Sequence, residues 1–392
     1  MTKEQNKKAP NLRFKGFTND WEQRKLGEVI ELEDNKRKPV KASKRIPGNI
    51  PYYGANGIQD YVKGYTHTGE HVLVAEDGAN SISNYPVYFI CSPSWINNHS
   101  HVLTGKGSII SNKFLTYNLK TVPYANYLVG SGRYKLNAET LKIIPIKLPL
   151  LTEQNYIGST LSKIDKLITL QQRKLELLKE IKKGLLQKMF ADKSKFPILR
   201  FEGFHDEWEQ CKLGELYSYH NGKAHEQNQR SSGKYELINL NSISVDGTLK
   251  SSGRYINHAD EILRQNDLVM ILSDIAHGTL LGRVAIIPQD NKYVLNQRVA
   301  LLRPISKSEN SNFMAPLINN NQRYFHKMGI GTSQLNISKS TVIESLWQIP
   351  KIKEQSVIGN FLQNIDHIIA LQHQRLSKLD EIKKSLLQQM FI

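Results

Sequence analysis

The feature that most restricts what this chain can fold into is a 43-residue segment that occurs twice. Residues 148–190 and 349–391 align without a gap at a displacement of 201 positions, and 22 of the 43 positions are identical. In the first copy Ile157, Ile164, Gln171, Leu178 and Leu185 recur every seventh residue, interleaved with Leu161, Ile168, Leu175, Lys182 and Met189. Rows offset by four and three place an apolar seam along one face of a helix. No proline interrupts the run between Pro149 and Pro197, and Thr152 is the expected N-cap. From Thr152 to Phe190 such a helix is roughly 58 Å long, too long for one small core to cover. Its seam needs a second helix, and the chain supplies one. Ile358, Leu362, Ile365, Ile369, Gln372, Leu376, Leu379, Lys383, Leu386 and Met390 repeat the pattern position for position. A polar residue in such a seam, as at Gln171, Lys182 and their copies, either fixes register at a cost in stability or lies where the seam turns toward solvent.

A second motif also recurs. PNLRFKGFTNDWEQRKLGEV (10–29) returns as PILRFEGFHDEWEQCKLGEL (197–216), a displacement of 187, with Trp21 matched by Trp208. Each half is therefore an opening motif, a body and a long helix, and the second body is 14 residues longer. Duplication on this scale predicts an approximate two-fold built from one polypeptide. The bodies carry strand-length apolar runs bounded by Gly, Asn, Ser and Pro: HVLVA (71–75), YPVYFI (85–90), DLVMIL (267–272), RVAII (283–287) and RVALL (298–302). Residues 123–128 and 313–328 read as helical pieces. The predicted class is α+β, with segments 1–147, 148–190, 191–348 and 349–392 forming body, helix, body and helix. Each body ends on a Gly-x-Gly turn with polar side chains, residues 130–137 and 329–336, built for close approach to a surface partner. The rest of the bodies diverge: IPYYGANGIQDYVKGYTHTGE has no obvious counterpart after Leu216. A duplicated frame with different contents suggests one job done twice on different targets.

The balance of charge says what kind of target. Fifty-three Lys and Arg against 36 Asp and Glu give a net charge of +17 and a pI near 9.5, which favours a polyanion, nucleic acid before membrane surface. Two cysteines, Cys91 and Cys211, fit neither a disulfide framework nor a zinc site and point to a reducing cytoplasm. The polar start MTKEQNKKAP and the lack of any run near 18 apolar residues argue against secretion and against a membrane span.

With W-E-x-x-K-L-G-E at Trp21–Glu28 and Trp208–Glu215, the chain resembles the DNA-specificity subunit of a type I restriction–modification enzyme. The helices strengthen the likeness. They share Pro-x-x-x-Glu-Gln starts (Pro149–Gln154, Pro350–Gln355), Ile-Asp pairs (Ile164-Asp165, Ile365-Asp366) and Leu-Leu-Gln-x-Met-Phe ends. The resemblance covers essentially the whole chain. It implies that each body is a target recognition domain, and that the helices pair as an antiparallel coiled coil setting the two domains apart. It further implies double-stranded DNA with a bipartite, interrupted target, two methyltransferase subunits and two restriction–translocation subunits as partners. S-adenosylmethionine, ATP and Mg would then be used in those subunits, with no cofactor in this chain. Cys211 in place of Arg24, and Lys353 in place of Thr152, depart from strict repetition; the second helix is expected to begin less sharply.

Catalytic motifs are scarce in the sequence. Thr104-Gly-Lys-Gly107 lacks the upstream glycine and following hydroxyl of a P-loop, and no glycine-rich methyl-donor loop occurs. Acid-x-Lys triplets occur at Asp34–Lys36, Glu180–Lys182 and Glu381–Lys383, and the last two fall on the helices as surface pairs. His99 and His101 could suggest a metal, but no acidic or cysteine cluster accompanies them in sequence, so they read as polar loop or strand residues and no metal site is expected. Base edges are best read by Arg, Asn and Gln, phosphates by Lys and Arg. Loop residues beside glycines are the candidate readers: Tyr53, Asn56, Asn80, Ser81, Arg133, Tyr134 and Lys135 in the first body. In the second they are Asn239, Asn241, Ser273, His277 and Arg298, with Thr332, Ser333 and Gln334 on the closing turn. A coiled-coil adaptor with two protein-binding bodies is the competing reading, and a standalone endonuclease a more remote one.

Overall fold

The computed structural model describes residues 9–130, 134–191, 194–225, 227–259, 261–275, 278–306 and 309–391. It divides into two units, Met1–Arg173 with Gln374–Ile392, and Lys174–His373. The long helices α4 (Leu151–Met189) and α9 (Ile352–Met390) each contribute to both.

In the first unit β1 (Glu22–Lys25) and α1 (Leu26–Val29) lead into β2 (Ile30–Leu32). There follow β3 (Pro47–Gly54), β4 (Gly57–Val62), β5 (His71–Ala75), β6 (Val87–Ile90), β7 (Trp95–Ile96) and β8 (Ser100–Gly105). α2 (Asn112–Lys120), α3 (Ala138–Lys142) and β9 (Pro145–Leu148) complete the body. One sheet runs β2-β8-β5-β6, another β4-β3-β7, and β9 returns to pair with β1. The second unit has β10 (Glu209–Lys212), α5 (Leu213–Leu216), β11 (Tyr217–Asn221), β12 (Tyr235–Ile238) and β13 (Tyr255–Ile256). It continues with β14 (Leu268–Ile271), β15 (Ser273–Ile275), β16 (Val284–Ile286), β17 (Tyr293–Leu295) and β18 (Val299–Pro304). Then come α6 (Ser311–Asn320), α7 (Gln322–Met328), β19 (Gln334–Asn336), α8 (Lys339–Ile343) and β20 (Leu346–Ile349).

Its sheets are β11-β18-β14-β16, β13-β12-β17, β15-β19 and β10-β20. Strand for strand, the first two repeat the order of the first unit, including a parallel pairing in each smaller sheet, β3 with β7 and β12 with β17. The stretch around residues 47–54 thus does have a counterpart, β12. The similarity lies in strand order and pairing, with almost no identity to reveal it. Of the helical pieces, 313–328 is borne out by α6 and α7, and 123–128 is not. Residues 124–126 form only a 3-10 turn, while α2 was not foreseen from the sequence.

The seam behaves as its periodicity predicts. Ile157, Leu161, Ile168, Leu175 and Met189 are buried, as are Ile358, Leu362, Gln372 and Met390, and the other seam positions are half-buried. Within the first unit Ile157 and Leu161 share a core with Met390 and Phe391; within the second, Ile358 and Leu362 share one with Met189 and Phe190. An early turn of one helix meets the last turn of the other in both, so the helices run antiparallel. The lysine interruptions have partners. Lys383 Nζ donates to Asp165 at 2.6 Å in the first unit, and Lys182 Nζ reaches Asp366 in the second. Each lysine thus meets the carboxylate of the opposite helix's Ile-Asp pair, which favours the register-fixing role over simple solvation.

The opening motifs lock onto helix ends. Leu12 N–H donates to the Gln389 carbonyl at 2.9 Å, and Leu199 N–H to that of Lys188 at 2.8 Å, each satisfying a last-turn carbonyl. Arg13 grips buried Glu153 through two bonds of 2.8 and 2.6 Å, and Arg200 grips Glu354 through two of 2.7 Å. Edge-to-face rings finish each junction, Trp21 on Phe114 and Phe391, and Trp208 on Phe313. Thr152 is not an N-cap: α4 already begins at Leu151, and Lys353 likewise lies inside α9. The following Gln154 and Gln355 instead tie their helices to the bodies, accepting from the backbone N–H of Ser111 and Asn310.

Candidate nucleic-acid interface

In both units the same backbone pairing closes the Gly-x-Gly stretch at its base, residues 131–133 lying outside the described residues. Val129 and Lys135 exchange two backbone hydrogen bonds of 2.9 Å, and Ile330 and Asn336 do the same. Gly130 and Gly331 hold φ of +101° and +133°, values that a Cβ resists, and a Cβ on Gly331 would stand 1.9 Å from the Gln334 carbonyl. Each hairpin is anchored just past the end of an inner strand, β5 in the first unit and β14 in the second. Leu136 N–H donates to the Glu76 carbonyl, and Ile337 N–H to that of Leu272. Asp77 bridges Lys135 in the first unit, and β15 pairs with β19 in the second.

Beneath the first hairpin lies an ion network. Arg37 donates to Glu76 at 2.6 Å and lies 3.2 Å from Asp34, while Lys135 Nζ stands 3.0 Å from Glu76. Burial alone would raise the Glu76 carboxyl, but hydrogen bonds from Arg37 and Lys135 outweigh it and hold it below the ordinary carboxylate range. His101, 1% exposed, faces Asp34 at 2.6 Å through Nδ1 and the Leu136 carbonyl at 2.8 Å through Nε2. Both ring nitrogens are thus engaged. The expectation that His101 stands apart from acidic groups is therefore corrected. Asp34, Glu76 and His101 lie close enough together for a metal, yet Arg37 already compensates both carboxylates. The cluster props the hairpin.

The structure sorts the candidate readers. Tyr53 is half-buried against the cluster of Leu73, Ile90, Ile96 and Val102, and burial pushes its phenol up. Asn56 uses its side-chain amide on the 78–80 loop, donating to the Gly78 carbonyl and accepting from Asn80 N–H, both at 2.9 Å. Ser81 accepts from Asn84 N–H and closes the same loop. Asn80, Tyr134 and Lys135 are exposed; Arg133 lies outside the described residues. In the second unit Ser273 is buried and bonded by the Gln334 side chain, and Asn239 caps a 3-10 turn through Asn241 N–H. Asn241, Arg298, Thr332 and Ser333 are exposed, and His277 lies outside the described residues. Arg298 has φ of +67°, an uncommon conformation for a side chain of its size, on the turn before β18. The matching turn before β8 holds His99, hydrogen-bonded to Asp77 at 2.5 Å. That turn escaped sequence reasoning, because only strand pairing makes Asn97–His99 and Asn296–Arg298 equivalent.

Among the described residues no helix is long and apolar enough to cross a membrane. The family model described as "Type I restriction modification DNA specificity domain" matches residues 18–180 and again 205–381. A Haemophilus influenzae protein described as a type I restriction enzyme specificity subunit is 49% identical over 132 residues, a match spanning only 34% of either chain. The MjaVIII specificity subunit of Methanocaldococcus jannaschii is 23% identical over 94% of this chain and 91% of its own. In fold, the chain is similar to the crystallised S subunit from M. genitalium, with a TM-score of 0.72 at 16% identity over 98% of this chain and 99% of that one.

Proposed function

Because the chain belongs to the family of type I restriction–modification DNA-specificity proteins, matched in both halves, we propose that it is the sequence-reading subunit of such a complex and has no catalysis of its own. Each body reads one half of an interrupted double-stranded site. The observation that carries this reading is the pair of equivalent hairpin bases, set beside two sheets of the same strand order but carrying different side chains. Tyr134 and Lys135 occupy the places of Leu335 and Asn336, and the second hairpin carries Thr332, Ser333 and Gln334 before them. Rigid elements that present unlike side chains from equivalent places suit two different base sequences. Asn80, Asn241 and Arg298 are further exposed candidates, while Tyr53, Asn56, Asn239 and Ser273 hold the loops in shape.

The helices then space the readers and dock methyltransferase subunits, with restriction–translocation subunits joining them. S-adenosylmethionine, ATP and Mg act in those partners. Exposed apolar pairs away from the seam support the dock: Leu167 and Leu170 at 41% and 53% exposure on α4, and their 201-displaced counterparts Ile368 and Leu371 at 46% and 40% on α9. Two equivalent patches suit two copies of one partner. Genome-wide adenine-methylation mapping tests the reading. Cells carrying Ser333→Ala with Gln334→Ala are expected to relax or lose one half-site and keep the other. An unchanged methylation pattern would remove the hairpin from base reading.

A further inference from the structure

Between β2 and β3 runs a strap, residues 36–45, with six cations in ten positions: Lys36, Arg37, Lys38, Lys41, Lys44 and Arg45. A charge run of this kind is ordinarily a loose, solvated loop. This one is fastened. Val40 N–H donates to the Tyr52 hydroxyl at 2.9 Å, and Lys38 N–H donates to the Ile96 carbonyl at 3.0 Å. The Trp95 indole N–H donates to the Lys38 carbonyl at 2.7 Å. Arg45 lies 4.1 Å over the Tyr52 ring and donates back to the Val40 carbonyl at 3.1 Å.

The cations divide by task. Arg37 and Arg45 are engaged with Glu76 and Asp60, and Lys36 with Glu33. Lys38, Lys41 and Lys44 are exposed, with no carboxylate at ion-pair distance among the described residues. The strap also shares its root with the first hairpin. Arg37 binds the Glu76 carboxylate and the Ser100 carbonyl, the same Glu76 takes Lys135, and its backbone carbonyl takes Leu136 N–H. Ordered backbone beneath free ammonium groups leaves little entropy to lose when those groups meet an anion.

Resting on the proposed DNA-reading role, we infer that the 36–45 strap is the phosphate clamp of the first body, with Lys38, Lys41 and Lys44 contacting the DNA backbone. They set affinity and orientation there and read no bases. Three phosphate contacts contribute a slope of about 0.9 each to the salt dependence of binding.

The test uses the full chain, a duplex carrying its mapped target, and the same duplex with the first half-site scrambled. K38Q/K41Q/K44Q is expected to lower the slope of log K against log salt by about 2.7 and to leave the ratio between the two duplexes unchanged. K163Q/K174Q/K179Q, on exposed lysines of α4, removes the same charge and is expected to leave the slope alone. An unchanged slope in the strap variant, an equal fall in the helix variant, or loss of discrimination along with the slope would each overturn the clamp. A wild-type chain that bound both duplexes equally would instead overturn the DNA-reading role beneath it. Matching thermal melts of wild type and variants exclude unfolding as the cause.

Discussion

Gly158 and Gly359 occupy equivalent turns of the two long helices, each buried where a body helix begins. A Cβ on Gly158 would stand 2.8 Å from the Phe114 amide nitrogen and 2.9 Å from Lys113 Cβ. On Gly359 it would stand 3.0 Å from Asn312 C and Phe313 N. Ordinary contact needs roughly 3.5–4.0 Å, and the obstructing atoms are largely backbone, so the first turn of α2 or α6 must retreat. Overpacking of this kind costs about 1–3 kcal/mol. Against it stands the helix preference for Ala over Gly, about 1 kcal/mol. Gly184 isolates that second effect, because it lies mid-helix in α4 with nothing within 4 Å of its notional Cβ. Gly184→Ala should therefore raise stability by up to about 1 kcal/mol, whereas Gly158→Ala and Gly359→Ala should fall below Gly184→Ala by about 1–3 kcal/mol. Gly184 and Gly359 lie in the same unit, so thermal melting compares them directly, at roughly 2–4 °C for each kcal/mol. Were all three variants to melt higher by the same margin, close helix approach would not be the reason for glycine at 158 and 359.

Three other outcomes are expected. Arg13→Ala leaves the Glu153 carboxylate buried and unpaired, a loss of about 3–5 kcal/mol in denaturant unfolding, and adding Glu153→Gln should recover much of it; equal losses in single and double variants would contradict the pairing argument. The Asp165–Lys383 pair is about a quarter to a third exposed, so an alanine double-mutant cycle should return a coupling of only roughly 0.2–1 kcal/mol, and zero coupling would deny it any part in register. Burial holds the His67 imidazole below its ordinary value, with the backbone hydrogen bond to Glu33 only partly offsetting it. As pH falls through about 6.5 the unfolded chain gains a proton that the folded ring resists. Stability should then decline across that range and the decline should shrink in His67→Asn, as unfolding curves at stepped pH would register.

The long helices were legible because a seam repeats every seven residues and the whole segment repeats at 201. Their register was not. Lys182 and Lys383 looked like interruptions, since the aspartates they meet are 184 and 218 residues away. Strand segments such as 71–75 and 268–271 stood out as apolar runs, whereas the shared order of the two bodies depends on pairings like β3 with β7 that leave almost no common letters. Among the candidate readers, residue type misled where an amide or hydroxyl serves the scaffold. Asn56 and Ser273 look like base readers and instead hold a loop and a side chain in place. His101 erred the other way, its acidic neighbours Asp34 and Glu76 being distant in sequence and adjacent in space.

The first unit is assembled from residues 1–173 and 374–392, so its core includes the last aromatic side chain of the described chain, Phe391, against Trp21 and Phe114. During synthesis the ribosome delivers Trp21 more than 350 residues before Phe391. Until then the seam from Ile157 to Ile168 has no native partner, and the Leu12 amide has no Gln389 carbonyl to meet. The second unit is contiguous, Lys174–His373, and can close first. The half made first therefore cannot be completed until the last turns of α9 are made, and a chain truncated there leaves its opening domain incomplete.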